Sequence, residues 1–312
     1  MKQEPLVSVL MPAFNVEKYI DEAINSILSQ SFADFEFIIL DDGSTDSTRQ
    51  LIQAHSDPRI TTVFLDKNNG LVSARNQLVS MARGKYIAFL DSDDVAAPER
   101  LSIQLEYLTS NNLDLCGADH LVLFEKNGKI KRSKQRHSDA DIRGMISVCS
   151  PLCNPSVMGL SDIFKNTPYQ PNNDGAEDYA MWVSMALKGY KFGNVPKNLI
   201  TYRVHDSQIS QVQNSSVNLI FERWRAQYLS VLGIGVNLVP RRLNWFERIK
   251  IAPQFLFFLN KKIPGISIAA NYQIYSRFQF RANGFWTVST RLERFLVALL
   301  ASGFGLVYLA IG

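Results

Sequence analysis

Apolar and polar positions cycle regularly along the first third of the chain. Val7-Ser8-Val9-Leu10-Met11 is a near-continuous apolar run and predicts a buried strand, ended at Pro12, which has no N–H to give a ladder. Ile20, Ile24, Ile27 and Leu28 recur at helical spacing and predict a helix. Phe35 to Leu40 predicts a second strand, and Leu51 and Ile52 mark a helix capped by Ser44 or Asp46. Ile60 to Leu65 predicts a third strand, and Leu71 to Met81 a helix closed by Gly84. Tyr86 to Leu90 predicts a fourth strand, and Pro98 opens a helix through Leu108. Such alternation predicts a parallel sheet with helices on both faces, whose ligands gather beyond the carboxyl ends of the strands. The polar clusters Pro12 to Asn15, Asp41 to Asp46 and Asp91 to Asp94 fall there.

The middle of the chain changes pattern. His120 to Phe124 and Lys129 to Lys131 flank Asn127-Gly128, a hairpin signal. Glu177 to Leu187 predicts a helix ended by Gly189, and Val195 to Val204 holds only short strand-like pieces. After about Asn214 helical, basic and aromatic segments take over. The expected division is a catalytic domain over residues 1–220 and a helical, basic region over 221–312.

Composition refines this picture. The chain has 312 residues, 46% hydrophobic, enough for a real core. Its net charge is only +4, yet Phe221 to Gly312 carries 12 Lys+Arg against 3 Asp+Glu, so front and back expect different partners. Cys116, Cys149 and Cys153 lack the spacing and company of a zinc site and read as reduced thiols of a cytosolic chain. No basic and apolar leader precedes Val7, so no secretory signal is expected. Phe295 to Gly312 is uncharged, at the lower limit for a bilayer span, but three glycines weaken a spanning helix. With Arg241, Arg242, Arg248 and Lys250 upstream, it reads as an interfacial segment attaching the chain peripherally to the inner face of the membrane. Its apolar runs are too long for a solvated nucleic-acid-binding face.

The chemistry-bearing residues sit at the strand ends. Asp42, followed by the flexible Gly43, is placed to accept from a base N–H or a ribose hydroxyl. Asp91-Ser92-Asp93-Asp94 offers oxygen ligands of the kind that hard divalent cations take alongside substrate phosphates. A D-x-D pattern alone is weak, occurring by chance about once in a chain of ordinary composition and this length. Asp139-Ala140-Asp141 is a second one, in a polar stretch, and reads as a helix cap. Gly70 opens a helix whose free N–H groups attract anions, and Arg75 within it is placed to reach a phosphate or to lie on the surface. Glu177-Asp178 is either helix-dipole chemistry or a general base. His205 is either structural or a further metal ligand.

Taken in order, Val7 to Asn15, Asp41 to Asp46, Asn69 to Asn76, Asp91 to Asp94, Glu177-Asp178 and Tyr202-Arg203-Val204-His205 resemble glycosyltransferase family 2, across roughly residues 5 to 210. The resemblance implies a GT-A nucleotide-diphospho-sugar transferase fold: a mixed, mainly parallel sheet between helices, with a helical basic extension. It implies that Pro12, Ala13, Asn15 and Asp42 surround the nucleotide base, that Gly70 and Arg75 lie near the donor, and that Asp91 and Ser92 face its ribose or sugar. Asp93, with His205, would bind Mn2+ or Mg2+. Asp178 would be the catalytic base with Glu177 beside it, in an inverting transfer from a UDP-sugar to a glycan or lipid-linked glycan in cell-surface polysaccharide synthesis. Processive members carry Gln-x-x-Arg-Trp; here Arg223-Trp224 follows Ile220, so transfer of one sugar is expected. A sugar-phosphate nucleotidyltransferase would need a Gly-rich loop after the first strand, which Pro12 to Asn15 is not. An inactive scaffold would not need both the metal acids and a base.

Overall fold

The structure, a computed structural model of the chain, describes residues 4–206, 208, 215–234 and 245–274. It divides into two units, Met1–His137 with Leu152–Val217, and Ser138–Pro151 with Asn218–Gly312.

The first unit opens with β1 (Val7–Ala13), α1 (Ile20–Leu28), β2 (Phe35–Asp41), α2 (Thr48–Ala54), β3 (Ile60–Phe64), α3 (Leu71–Met81) and β4 (Tyr86–Phe89). These strands lie in the order β3-β2-β1-β4, all parallel, as the alternation predicts. Val9, Met11, Ile24, Ile27, Phe37, Ile39 and Ala88 meet in the core beneath them. Each of these side chains larger than alanine contributes about 1.5–3 kcal/mol on leaving water. Pro12 does not end β1: pairing with β4 stops at Leu10, so no neighbour on that side calls for the missing N–H.

Beyond β4 the chain adds β5 (Val95–Ala96), α4 (Arg100–Ser110), β6 (Leu115–Phe124), β7 (Lys129–Ser133), α5 (Asp139–Ile146, in the second unit), β8 (Met158–Leu160), α6 (Ser161–Lys165), α7 (Glu177–Leu187) and β9 (Phe192–Val204). The sheet continues from β4 through β8, β6 and β9 to β5, with β7 on β6. β5, β7 and β8 run antiparallel to their neighbours, so the sheet is mixed rather than the parallel one that alternation alone predicts. The strand-like pieces after Val195 are one strand, β9, parallel to β6. Its register slips between Ala118↔Val195 and Asp119↔Asn198, and this bulge accommodates Pro196 without breaking the strand.

In the second unit, Ser138 caps α5 by accepting the Asp141 N–H. Asp139 pairs with Arg143 at 2.8 Å, and Asp141 accepts the Ser267 N–H and hydroxyl at 2.6 and 2.7 Å. The second D-x-D therefore serves helix ends, although Ser138 rather than Asp139 is the capping residue. The remaining helices are α8 (Ser215–Val231), α9 (Trp245–Lys262) and a helical segment over 268–274. Phe255, Leu256 and Leu259 of α9 are buried. No described helix is long and apolar enough to cross a membrane. Arg241, Arg242 and the run Phe295 to Gly312 lie outside the described residues.

Candidate active site

The carboxyl ends of β1, β2 and β4 bring the expected clusters together. After β1 the chain turns at Asn15, in the left-handed region at φ 51°. Its N–H donates to the Ser44 hydroxyl and its side-chain oxygen accepts the Thr45 N–H at 2.8 Å. Asp46 accepts the N–H groups of Glu17 and Thr48. Ser44 and Asp46 thus stitch two loops together, and Ser47 holds the N-cap position of α2. Pro12 and Ala13 are buried at the end of β1, where the Ala13 carbonyl accepts the Asp42 N–H.

Asp42, 4% exposed, accepts the N–H groups of Asn69 and Gly70, one on each carboxylate oxygen, both at 2.9 Å. The Gly70 N–H expected to face an anion is therefore already committed, to Asp42 and the Asn68 side chain. Each carboxylate oxygen of Asp42 keeps a second acceptor position for a base or ribose. Gly43 makes this closure possible: at φ 73° a Cβ would stand 2.5 Å from the Lys67 carbonyl carbon.

Arg75 has partners other than the phosphate expected of it. It is 4% exposed, and its Nη1 donates to Glu177 at 2.6 Å and its Nη2 to Asp91 at 3.0 Å. Its guanidinium carbon lies 5.4 Å from the centre of the Tyr169 ring. Burial alone would lower the guanidinium's pKa, but the Asp91 and Glu177 carboxylates outweigh that and hold it above its ordinary value. One cation thus clamps α3, the β4 acidic loop and the start of α7. Both oxygens of Glu177 are engaged: the second accepts the Gly175 N–H at 2.8 Å. Asp178, next on α7, is half-buried and accepts the Tyr179 N–H at 2.6 Å.

The acidic loop itself places Ser92 inside and Asp93 against His205, Oδ2 to Nε2 at 2.9 Å. Burial and the Asp91 charge push the Asp93 carboxyl above its usual range, opposed by the His205 hydrogen bond. Asp94, fully buried, is pushed well above by burial and then by Asp93 and Asp91, against the Arg203 N–H that donates to it at 2.8 Å. Asp91 thus disfavours the charge on Asp93, and both disfavour that on Asp94, a crowding that a cation would relieve.

Among the described residues no three His, Cys, Asp or Glu side chains converge as a ready metal cage. The Asp93–His205 pair nonetheless fits a hard divalent ion. Their hydrogen bond at 2.9 Å holds a carboxylate oxygen and an imidazole nitrogen side by side, both donors that an ion such as Mn2+ accepts. The remaining positions suit phosphate oxygens and water.

Two residues not singled out in the sequence complete the site. Arg203 donates from Nε to the Asp93 carbonyl at 2.9 Å and from Nη2 to Glu22 at 2.6 Å, with its guanidinium 4.9 Å from the Tyr19 ring centre. Tyr19 stacks on His205 at 4.7 Å and donates its hydroxyl to Glu125 at 2.7 Å. Arg203 lies within the quoted Tyr202 to His205 stretch; Tyr19 has no signal of its own.

A mixed sheet in this order, with acidic turns converging at its carboxyl ends, is the GT-A arrangement that the resemblance implies. Residues 8–163 match the family model described as Glycosyl transferase family 2. The chain is 33% identical over 223 residues to an uncharacterised glycosyltransferase of Methanocaldococcus jannaschii, covering 69% of this chain and 77% of that one. It is 32% identical to WfaP of Escherichia coli, a UDP-Glc:alpha-D-GlcNAc-diphosphoundecaprenol beta-1,3-glucosyltransferase, over 66% of this chain and 80% of that one. The fold resembles S. aureus TarS 1-349 in complex with UDP-GlcNAc, with TM-score 0.60 and 18% identity, over 95% of this chain and 90% of that one. It also resembles the mannosyltransferase PcManGT of Pyrobaculum calidifontis in complex with GDP-Man and Mn2+, with TM-score 0.53 and 15% identity, over 98% and 89%. The chain belongs to glycosyltransferase family 2 and is a glycosyltransferase.

Proposed function

We propose that the chain is a metal-dependent, inverting glycosyltransferase. It moves one sugar from a UDP-sugar to a hydroxyl of a lipid-linked glycan at the inner face of the membrane, in cell-surface polysaccharide synthesis. The observation that carries this reading is the Arg75 clamp, which joins Asp91 of the acidic loop to Glu177 at the start of α7, the turn that also carries Asp178. WfaP supports the donor and acceptor class, and the Mn2+ in PcManGT supports the metal.

Asp93 and His205 would hold a divalent cation, which supplies charge neutralisation on the departing nucleoside diphosphate. Asp42 and the buried end of β1 bind the nucleoside. Asp178 accepts the acceptor hydroxyl's proton as the oxygen attacks the anomeric carbon from the face opposite the leaving group. The bond to the diphosphate breaks in the same displacement. Glu177, with both oxygens engaged, is a positioning residue in this scheme.

The test is Asp178→Asn, with UDP-sugars, manganese and a lipid-linked acceptor. Donor binding should persist while glycoside formation falls by roughly 100-fold or more, the usual scale of a lost general base. Undiminished transfer would remove Asp178 from the role. Release of pyrophosphate rather than nucleoside diphosphate would assign a nucleotidyltransferase instead.

A further inference from the structure

From Lys126 to Arg136, six of eleven residues are Lys or Arg and none is acidic. Background composition does not explain this, because residues 1–220 as a whole carry 21 Lys+Arg against 26 Asp+Glu. Lys126, Lys129, Lys131, Arg132 and Lys134 are all exposed. Among the described residues none of these five forms an ion pair. β7 pairs only with β6, so its outer edge has no strand partner among the described residues. The register sets Lys129 and Lys131 opposite Phe124 and Val122 on one face, and Ile130 and Arg132 opposite Leu123 and Leu121 on the other. Ile130 is 57% exposed in the middle of this charge.

The ribbon's turn lies at the rim of the active site. Glu125, just before the basic run, accepts the Tyr19 hydroxyl, and Tyr19 stacks on His205 of the Asp93 pair. Lysines on an edge strand also guard against edge-to-edge aggregation. That role needs one or two charges, whereas here they occupy the turn, both faces and the exit of the strand.

We propose that the β6–β7 ribbon docks the enzyme on an anionic phospholipid surface. Lys126, Lys129, Lys131, Arg132 and Lys134 lie among the headgroups, and Ile130 enters the boundary with the acyl chains. An exposed isoleucine inside a cationic patch suits such an interface better than a polyanion in water. Docking there holds the Asp93–His205 end of the sheet at the surface where a lipid-linked acceptor is presented, and its purpose rests on the acceptor reading above.

The experiment is sedimentation of the full chain with vesicles of phosphatidylcholine alone or mixed with phosphatidylglycerol. Wild type should bind the mixed vesicles and release as salt rises. Lys129→Gln/Lys131→Gln/Lys134→Gln should lower that partitioning on the order of 100-fold, since each cation near an anionic surface contributes about fivefold. Ile130→Ser should lower it separately. Thermal unfolding and vesicle-free release of nucleoside diphosphate from the donor should match wild type in both variants. Absence of any preference for anionic vesicles would overturn the proposal, as would a triple variant that binds like wild type. A chain that binds the vesicles but cleaves no UDP-sugar would leave the docking intact and sink the catalytic reading instead.

Discussion

Replacing Arg75 by methionine removes the cation that two acidic segments share while keeping most of its volume. Glu177, whose side chain is 9% exposed, then holds a charge that, among the described residues, only the Gly175 N–H compensates; Asp91, 26% exposed, is partly rescued by water. Removing one partner of a buried pair typically costs 3–5 kcal/mol, and the exposure of Asp91 argues for the lower end, about 3 kcal/mol. Against a domain stability of roughly 5–15 kcal/mol, the variant should fold with a clearly lower urea midpoint and an unchanged slope. Glu177→Gln in the same background removes the stranded charge and should recover about 1–2 kcal/mol, a coupling within the usual range for contacting residues. Urea unfolding of wild type, both single variants and the double variant measures it. If Arg75→Met costs under about 1 kcal/mol, or the two changes add without coupling, the clamp is not structural. A variant of wild-type stability that loses donor affinity would return Arg75 to the phosphate-contact role expected from its sequence position.

Two further outcomes follow from geometry outside the clamp. Burial would raise the Glu36 carboxyl, but hydrogen bonds from the Ser8 hydroxyl and the Arg83 N–H and guanidinium outweigh it and hold the group below its usual 4.5. A depressed folded value stabilises the fold fully above pH 4.5 and less as pH falls through the folded value, so Glu36→Gln should flatten the acid limb of the stability–pH curve below about pH 4.5. Gly43→Ala should displace the loop at Lys67 and cost more than Gly70→Ala, although both glycines have positive φ. A Cβ at Gly43 meets backbone at 2.5 Å and one at Gly70 meets nothing within 4 Å, so Gly70→Ala should cost only the backbone strain of φ 90°, ψ 155°, about 1–3 kcal/mol by thermal unfolding.

The sequence made β1 to β4 and their helices readable because each carries its own apolar period. β8 spans three residues and β5 two, too few to show a period, and both exist only as antiparallel partners of longer strands. β9 was obscured by Pro196, a strand breaker until a bulge houses it. At the site, position at a strand end was enough to separate Asp91 to Asp94 from the pattern at Asp139. The pairings were not readable, because Arg75 meets Glu177 across 102 positions and Asp93 meets His205 across 112. Spacing alone does not separate Glu177 from Asp178; the resemblance implies Asp178 as the base, and the fold commits Glu177 to Arg75. Tyr19 resembled any aromatic residue at a helix start until the fold brought His205 and Arg203 to its ring.

Calorimetric titration of UDP into the full chain, with and without manganese, comparing wild type with Asp93→Ala, bears most directly on the metal-dependent transferase proposed here. Wild type should bind UDP tightly only when manganese is present, and Asp93→Ala should lose roughly 100-fold in that affinity while keeping the metal-free background. Equal, manganese-independent binding by the two proteins would contradict it.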